Sequence, residues 1–358
     1  MLRTLSRACN TKRAVAIAFT AALALAGGTL FQVVDLPAAW LTGAMVIVAA
    51  GAMARIPVHV PSPVGTGAFL LLGISMGAGV TPETLWQMAA WPLSMLLLAV
   101  SVLACIAVCS LWLERVHRWD RATARFASIP GALGAVLVMA AESHANLPRV
   151  ALAQSLRLFT LVAAMPWILQ WLPAPPSPAS AVTASNSPVE VALLLAASGL
   201  VAALFHRLRF PGGVLMGAML TSAALHATSV VEGALPVPVQ AAGFVAIGAV
   251  IGSRFAGVTL ASLLASLRPA LESVGLALVV SAVCAVGASL WLGLPVGQLW
   301  LAYAPGGIEA MSIVAFVLGF DVAFVSIHHV ARFAGIGLLV PWWQTRWRTT
   351  EPCRSPAE

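Results

Sequence analysis

The feature that constrains this chain most is a series of apolar runs, each about as long as a helix that crosses a lipid bilayer. Hydrophobic residues make up 60% of the 358 residues and charged residues only 9%, too few to cover a water-exposed surface. The pattern predicts an all-α polytopic membrane protein with ten spans. The runs are 14–34, 37–54, 63–80, 91–113, 147–171, 189–206, 211–228, 237–253, 270–292 and 322–344.

Two further apolar stretches, 129–141 and 304–318, are too short to span comfortably, and each opens with a Pro-Gly step. Proline removes a backbone donor and glycine accepts unusual dihedral angles. Interrupted backbone at membrane depth is tolerated only where protein or a wet cavity satisfies it. The stretches therefore predict re-entrant or broken helices, with a kinked ordinary span as the alternative. The residues of the predicted breaks are Pro130, Gly131, Pro305, Gly306 and Gly307.

The two ends of the first half need separate interpretation. A basic segment, 1–13, precedes the run 14–34, which is typical of a signal peptide or of an uncleaved first helix. We favour the helix, because the repeat described next requires it. A chargeless, proline-rich stretch between the halves predicts a flexible linker. The predicted units are a first membrane repeat 1–172, the linker 173–188, a second repeat 189–345 and a tail 346–358.

The two halves of the chain match each other at a constant shift. Leu36–Met45 aligns with Phe210–Met219 at a shift of 174, and a shift of 175 then holds without a gap over 61–167. This register places the Pro-Gly steps on each other and Arg157 on Arg332. Apolar composition alone would not align so many Pro and Gly residues and a matched arginine, so the pattern predicts an internal repeat.

The distribution of charge predicts that the repeats are inverted. The net charge of +7 comes from small clusters between apolar runs, which indicates topology rather than nucleic-acid binding. Placing basic loops in the cytoplasm puts both termini inside. Loops that correspond in the two repeats then have opposite charge character: one contains Asp35, and its counterpart contains Arg207 and Arg209. Five spans and one short stretch per half produce that inversion, which is typical of secondary transporters. We expect a bacterial inner-membrane location.

Three segments carry a family resemblance: PGGIEAMSIVAFVLGFDVAFVSIHHVARF (305–333), its partner 130–159, and FPGGVLMGAM (210–219). They resemble the bacterial AbrB-type membrane proteins, which consist of two AbrB duplication units, and the resemblance covers about 15–345. Family members carry labels that name an ammonia monooxygenase or an AbrB-type transcriptional regulator. The resemblance implies fold and location, and it supplies no catalytic or DNA-contacting residues. Gly134 stands where the second half has Glu309, so the implied site is asymmetric.

Charged side chains inside spans are costly and usually face a cavity or a partner. Glu309 lies in the second Pro-Gly stretch, where a carboxylate could bind a cation or proton, or form an ion pair with an arginine. Arg157 and Arg332 could hold an anionic substrate, neutralise Glu309, or brace the carbonyls of the broken helices. All three are candidate substrate or ion-site residues.

Four polar residues near these charges complete the candidate set. His328 and His329 precede Arg332 on one predicted helix. They could be hydrogen-bonding groups with protein partners, or they could act as a proton relay or as metal ligands. Gln154 is the repeat counterpart of His329. Asp321, with its counterpart Asn146, begins the last span of its half, either as a helix N-cap or as part of the site.

We interpret the chain as a secondary transporter of a small solute that works by alternating access, with both Pro-Gly stretches lining a central site. The alternatives are a membrane component that affects gene expression indirectly and, less favoured, a metallo-oxygenase, for which the seven histidines are too scattered. No catalytic residue, metal site or cofactor is predicted. Expected partners are the bilayer and a solute with a coupled cation or proton, without nucleic acid. A homodimer is compatible with this architecture.

Overall fold

The structure is a computed structural model that describes residues 2–78, 91–131, 133–141, 143–172 and 187–350. This part of the chain is all-α and contains fourteen helices. They are α1 (Leu2–Val33), α2 (Ala39–Met53), α3 (Ser62–Gly77), α4 (Trp91–Arg115), α5 (Arg121–Ser128), α6 (Leu133–Ala141), α7 (Leu147–Leu169), α8 (Pro188–Arg207), α9 (Gly213–Ala227), α10 (Val237–Ser253), α11 (Leu260–Leu292), α12 (Val296–Tyr303), α13 (Ile308–Val317) and α14 (Val322–Thr350).

Within the described residues, five helices are long and apolar enough to cross a membrane: α1 from Lys12 onward, α4, α7, α8 and α11. The other five predicted spans correspond to shorter apolar helices: α2, α3, α9, α10 and the Val322–Ile336 part of α14. The run that begins at residue 63 illustrates why they are short. Pro61 precedes the first turn of α3, and the helix ends at Gly77. The apolar run therefore extends past the C-terminal end of the helix, because apolar residues continue in the sequence after Gly77.

Two short helices lie between the predicted apolar segments. Helix α12 begins at Val296, between the run that ends at 292 and the stretch that begins at 304. In the first half, α5 lies between the run that ends at 113 and the stretch that begins at 129. Asp120 caps this helix by accepting a hydrogen bond from the Thr123 amide at 2.8 Å. Each helix has eight residues, too few for a span-length apolar run to reveal.

The chain leaves helical geometry at both Pro-Gly steps. Helix α5 ends at Ser128 and α6 begins at Leu133, while α12 ends at Tyr303 and α13 begins at Ile308. Gly131 has a φ of 79°, a left-handed conformation that a residue with a Cβ adopts only at a cost. Glycine therefore permits the first of these breaks.

The helices pack into two bundles. The first bundle contains α1–α3 and α8–α10, and the second contains α4–α7 and α11–α14. The most extensive backbone approaches between helices lie within a bundle, and across the bundles the helix pairs in closest approach are α3 with α13 and α2 with α7. Each bundle therefore combines helices from both halves of the chain.

Glycines bring helices of the first bundle into backbone contact. A Cβ added at Gly73 of α3 would lie 2.5 Å from the carbonyl oxygen of Leu215 in α9. A Cβ added at Gly248 of α10 would lie 2.5 Å from the carbonyl oxygen of Leu41 in α2. Small residues allow such close helix crossings in membrane proteins. These two crossings join the first half of the chain to the second.

Candidate functional site

A cavity of about 340 Å³ lies where the two bundles meet. The second bundle contributes both Pro-Gly breaks, Arg157, Arg332, Gln154, His329 and Glu309 to its lining. The first bundle contributes Phe69, Gly212, Ile247, Val250, Ile251 and Arg254. The cavity therefore has a polar wall from one bundle and a mainly apolar wall from the other.

The two Pro-Gly breaks approach each other at this cavity. A Cβ added at Gly131 would lie 3.7 Å from the carbonyl oxygen of Gly306 and 3.8 Å from Nη2 of Arg332. Two stretches that are 175 residues apart in sequence thus form adjacent parts of one wall. Interrupted backbone placed beside a cavity can be hydrated or occupied, as a membrane protein requires.

Arg157 holds the end of the first interrupted helix. Its Nη1 donates to the carbonyl oxygen of Ala127 at 3.1 Å, and its Nη2 donates to that of Ile129 at 2.9 Å and to Oε1 of Gln154 at 3.3 Å. Gln154 in turn donates to the carbonyl oxygen of Phe126 at 2.9 Å. Carbonyls at a helix end lack intrahelical donors, and these side chains supply them.

Arg332 holds the end of the second interrupted helix in the same way. Its Nη1 donates to the carbonyl oxygen of Ala304 at 2.6 Å, and its Nη2 donates to Gly306 O and to Nδ1 of His329. His329 donates from Nε2 to the carbonyl oxygen of Leu301 at 3.1 Å. Because a guanidinium only donates, Nδ1 of His329 must accept, and these contacts favour a neutral imidazole. The bracing contacts of both arginines are therefore present, and anion binding by them stays a prediction.

Glu309 lies in the first turn of α13, is half-buried and lines the cavity. Among the residues that the structure describes, it takes part in no salt bridge within 4.0 Å, so the predicted ion pair with Arg157 or Arg332 is not formed. Its electrostatic interaction is with Arg254, which lines the same cavity from the first bundle. The carboxylate is therefore placed to meet a ligand or an ion.

His328 points away from this cavity into a buried hydrogen-bonded chain in the second bundle. Its Nδ1 lies 2.7 Å from the carbonyl oxygen of Phe324, and its Nε2 lies 2.9 Å from Oγ of Ser94. The hydroxyl of Tyr303 donates to the carbonyl oxygen of Ser94 at 2.9 Å. Both ring nitrogens of His328 thus have protein partners. Sequence reasoning missed Ser94 and Tyr303, although Tyr303 is the only tyrosine in the chain.

Asp321 and Asn146 cap the helices that follow them, so the N-cap interpretation is confirmed. Oδ1 of Asp321 accepts from the Phe324 amide at 3.0 Å, and Oδ1 of Asn146 accepts from the Arg149 amide at 3.1 Å. Neither residue contributes to the described lining of the cavity. Their role in the structure is local, at the starts of α14 and α7.

We expect Asn146→Ala and Asp321→Ala each to lower the free energy of unfolding by about 1 kcal/mol, because an amide in the first helical turn loses its acceptor. Equilibrium denaturation of the purified protein in mixed micelles measures this. The matched controls are Asn146→Gly and Asp321→Gly, which should cost only a few tenths of a kcal/mol, as glycine suits the N-cap backbone. Equal losses for alanine and glycine would contradict the capping role.

Sequence reasoning also missed Arg254 and the apolar wall of the cavity. Arg254 directly follows α10 and reaches the cavity. Phe69, Ile247 and Ile251 resemble any other apolar residue of a span in sequence. Only the packing of α3 and α10 against the second bundle distinguishes them, and no local pattern encodes that packing.

The long apolar helices are compatible with the class of multi-pass membrane proteins, and a cavity with one polar wall lies between the two bundles. The chain belongs to the AbrB family, whose family model, described as "Transition state regulatory protein AbrB", matches residues 40–348. It is 28% identical over 320 residues to "Putative regulator AbrB" of Escherichia coli (strain K12), covering 87% of this chain and 90% of that protein. It is 27% identical over 358 residues to "Uncharacterized protein YhjN" of Bacillus subtilis (strain 168), covering 89% and 90% of the two chains.

Proposed function

We propose that this protein is a secondary transporter that moves a small solute by alternating access. The observation that carries the proposal is the cavity between the bundles, on which both Pro-Gly breaks converge. Transporters of this kind place discontinuous helices from two repeats around a central binding site. The cavity volume of about 340 Å³ suits a small molecule.

Matched contacts support two repeats of inverted topology as part of this proposal. Gln154 donates to the carbonyl oxygen of Phe126, and His329 donates to that of Leu301. His329 and Leu301 each lie 175 residues after their counterparts, Gln154 and Phe126. The glycine crossings of α3 on α9 and α10 on α2 are likewise one contact made twice. In the inverted arrangement, both short Pro-Gly stretches are re-entrant elements that meet near the membrane midplane.

Relative movement of the two bundles is the mechanism that we propose. The first bundle is held by glycine crossings at backbone contact, whereas the two bundles meet mainly through side chains and few of their helix pairs approach closely. A rigid first bundle would let the second bundle, which carries Arg157, Arg332 and both breaks, rock against it. Arg254 is exposed and lines the cavity, so it lies where the cavity meets the surface. If the basic turns face the cytoplasm, the mouth of the cavity beside Arg254 lies on the cytoplasmic side of the inner membrane. In this proposal, the structure is therefore the inward-open conformation.

Glu309 is the coupling residue in this proposal, and it would take up a proton or a cation when the solute binds. We expect Glu309→Gln to abolish uptake driven by an ion gradient, because the amide does not change charge. Uptake into proteoliposomes measures this, with carboxylates, amines, sugars and ammonium each supplied outside, with and without a proton gradient. Solute exchange without a gradient should persist in Glu309→Gln.

The matched control is Glu272→Gln, which removes a carboxylate paired with Arg268 at 2.8 Å on α11, away from the cavity lining. Its uptake should equal that of the unmodified protein. Gradient-driven uptake that survives in Glu309→Gln would exclude Glu309 as the coupling residue. A panel in which no solute crosses faster than in protein-free liposomes would overturn transport itself.

The names of relatives point to a second candidate function. The E. coli relative is named as a regulator, and in our proposal an effect on gene expression follows indirectly from solute movement. The oxygenase alternative requires a metal centre, and the described residues hold no group of three or more His, Cys, Asp and Glu side chains placed for a metal ion. Stoichiometric copper or iron in the purified protein would support that alternative.

A further inference from the structure

We infer that the cavity binds a small organic carboxylate with an apolar body, an inference that rests on the proposed transport function and specifies its substrate class. Four observations lead to it: the charge balance of the lining, the hydrogen bonds of its arginines, the positions of two helix N-termini and the apolar opposite wall. Each describes a different part of the cavity.

The charge balance of the described lining is positive. Three arginines line the cavity, Arg157, Arg254 and Arg332, against one carboxylate, that of Glu309. In the part of the chain that the structure describes, none of these arginines forms a salt bridge within 4.0 Å. The arginines that bond to backbone carbonyls keep their full charge, because carbonyls are neutral. A bound anion would therefore neutralise charge that the protein itself leaves unbalanced.

The guanidinium of Arg332 has donor capacity left for a ligand. Its hydrogen bonds to the described residues use Nη1 and Nη2, and none of them uses Nε. Nε also lies about as close as Nη2 to the Gly131 position, at 4.0 Å from an added Cβ. A guanidinium presents its donors in a planar fork that suits a carboxylate.

Helix N-termini add positive potential at the same wall. Gly307 is the N-cap of α13 and gives it no side-chain cap, and Gly307, Ile308 and Ala310 all line the cavity. The first backbone amides of a helix have no intrahelical acceptor and favour an anion. In the first half, Pro130 and Gly131 line the cavity just before α6 begins at Leu133. Charge and backbone thus favour the same sign of ligand.

The opposite wall selects the rest of the ligand. Phe69 of α3 and Ile247, Val250 and Ile251 of α10 face the cavity from the first bundle. A hydrated inorganic anion would gain nothing from this surface, whereas an apolar group placed on it would be removed from water. The arrangement therefore fits a carboxylate at the broken helices with its apolar body against α3 and α10.

Binding of radiolabelled benzoate to the purified protein in detergent, with unlabelled competitors, tests this inference. We expect competition by unlabelled benzoate, roughly tenfold or more weaker competition by acetate, which lacks the apolar body, and none by benzylammonium or chloride at equal ionic strength. Competition by acetate as strong as by benzoate would overturn the apolar-body assignment. Preferential binding of benzylammonium, or no saturable benzoate binding, would overturn the carboxylate.

Two variants with opposite expected effects separate charge recognition from misfolding. Glu309→Gln should tighten benzoate binding roughly three- to tenfold, and Arg254→Gln should weaken it by a similar factor, because a nearby charge changes while the volume barely does. Arg268→Gln, an exposed position outside the lining, should leave affinity unchanged. Weaker binding in Glu309→Gln would contradict the proposed charge balance.

Benzoate exchange in proteoliposomes distinguishes failure of this inference from failure of the transport proposal. Saturable binding with the expected variant pattern, but without exchange, would keep the carboxylate site and overturn transport. Movement of another solute from the panel, with no benzoate binding, would keep transport and overturn the carboxylate class. Both binding and exchange support the two proposals together.

Discussion

Replacing Arg332 with methionine should lower the free energy of unfolding by about 2–5 kcal/mol, because it leaves buried acceptors without donors. Ala304 O and Gly306 O would lose their partner, and so would Nδ1 of His329. Methionine matches the aliphatic part of the arginine side chain and keeps its apolar contacts. Reversible denaturation in mixed micelles measures the loss, and size-exclusion chromatography of the detergent-solubilised protein shows whether the variant still folds.

Two further variants make this result specific. Arg332→Lys should restore only part of the stability, since a single ammonium group cannot reproduce the bidentate geometry at the break. Arg268→Met removes an arginine whose side chain is 80% exposed and should change stability by no more than about 0.5 kcal/mol. If Arg332→Met were as stable as Arg268→Met, water would satisfy the carbonyls and the bracing role would be wrong.

Replacing Gly248 with alanine should destabilise the protein by about 1–3 kcal/mol through overpacking. The added Cβ would lie 2.5 Å from the carbonyl oxygen of Leu41 and 2.8 Å from Cβ of Ala44, and a backbone atom cannot move aside as a flexible side chain does. The helices α10 and α2 would have to separate. The same denaturation experiment measures this loss.

Gly275→Ala is the matched control for this prediction. Gly275 lies within α11, and a Cβ added there meets nothing within 4 Å. Alanine has a higher helix propensity than glycine, so this substitution should stabilise the helix by up to about 1 kcal/mol. The two substitutions therefore have opposite expected signs. A neutral or stabilising Gly248→Ala would show that α10 and α2 do not cross at backbone contact.

Sequence reasoning performed best where a residue acts on its own neighbourhood. For Asp321 and Asn146, the residue type and its place before an apolar run indicate an N-cap, which was one of the two interpretations that the sequence left open. Bracing by Arg157 and Arg332 was one of three interpretations of these matched arginines, and the carbonyls that they hold lie 26–30 residues away in the chain.

The rest could not be predicted because it depends on which helices pack together. Span-length runs revealed neither α5 nor α12, since eight-residue helices carry no such signal. The sequence divides the chain into consecutive halves, whereas the structure divides it into bundles that draw on both. Arg254 is the clearest case: its place opposite Glu309 depends on the packing of the two bundles and leaves no trace near residue 254.

The glycine crossings have a consequence for how the chain can be divided. Because α3 crosses α9 and α10 crosses α2, each half of the sequence supplies the surface that the other half needs. Neither half expressed alone has its native partner for these crossings, yet two separately expressed halves could complement each other.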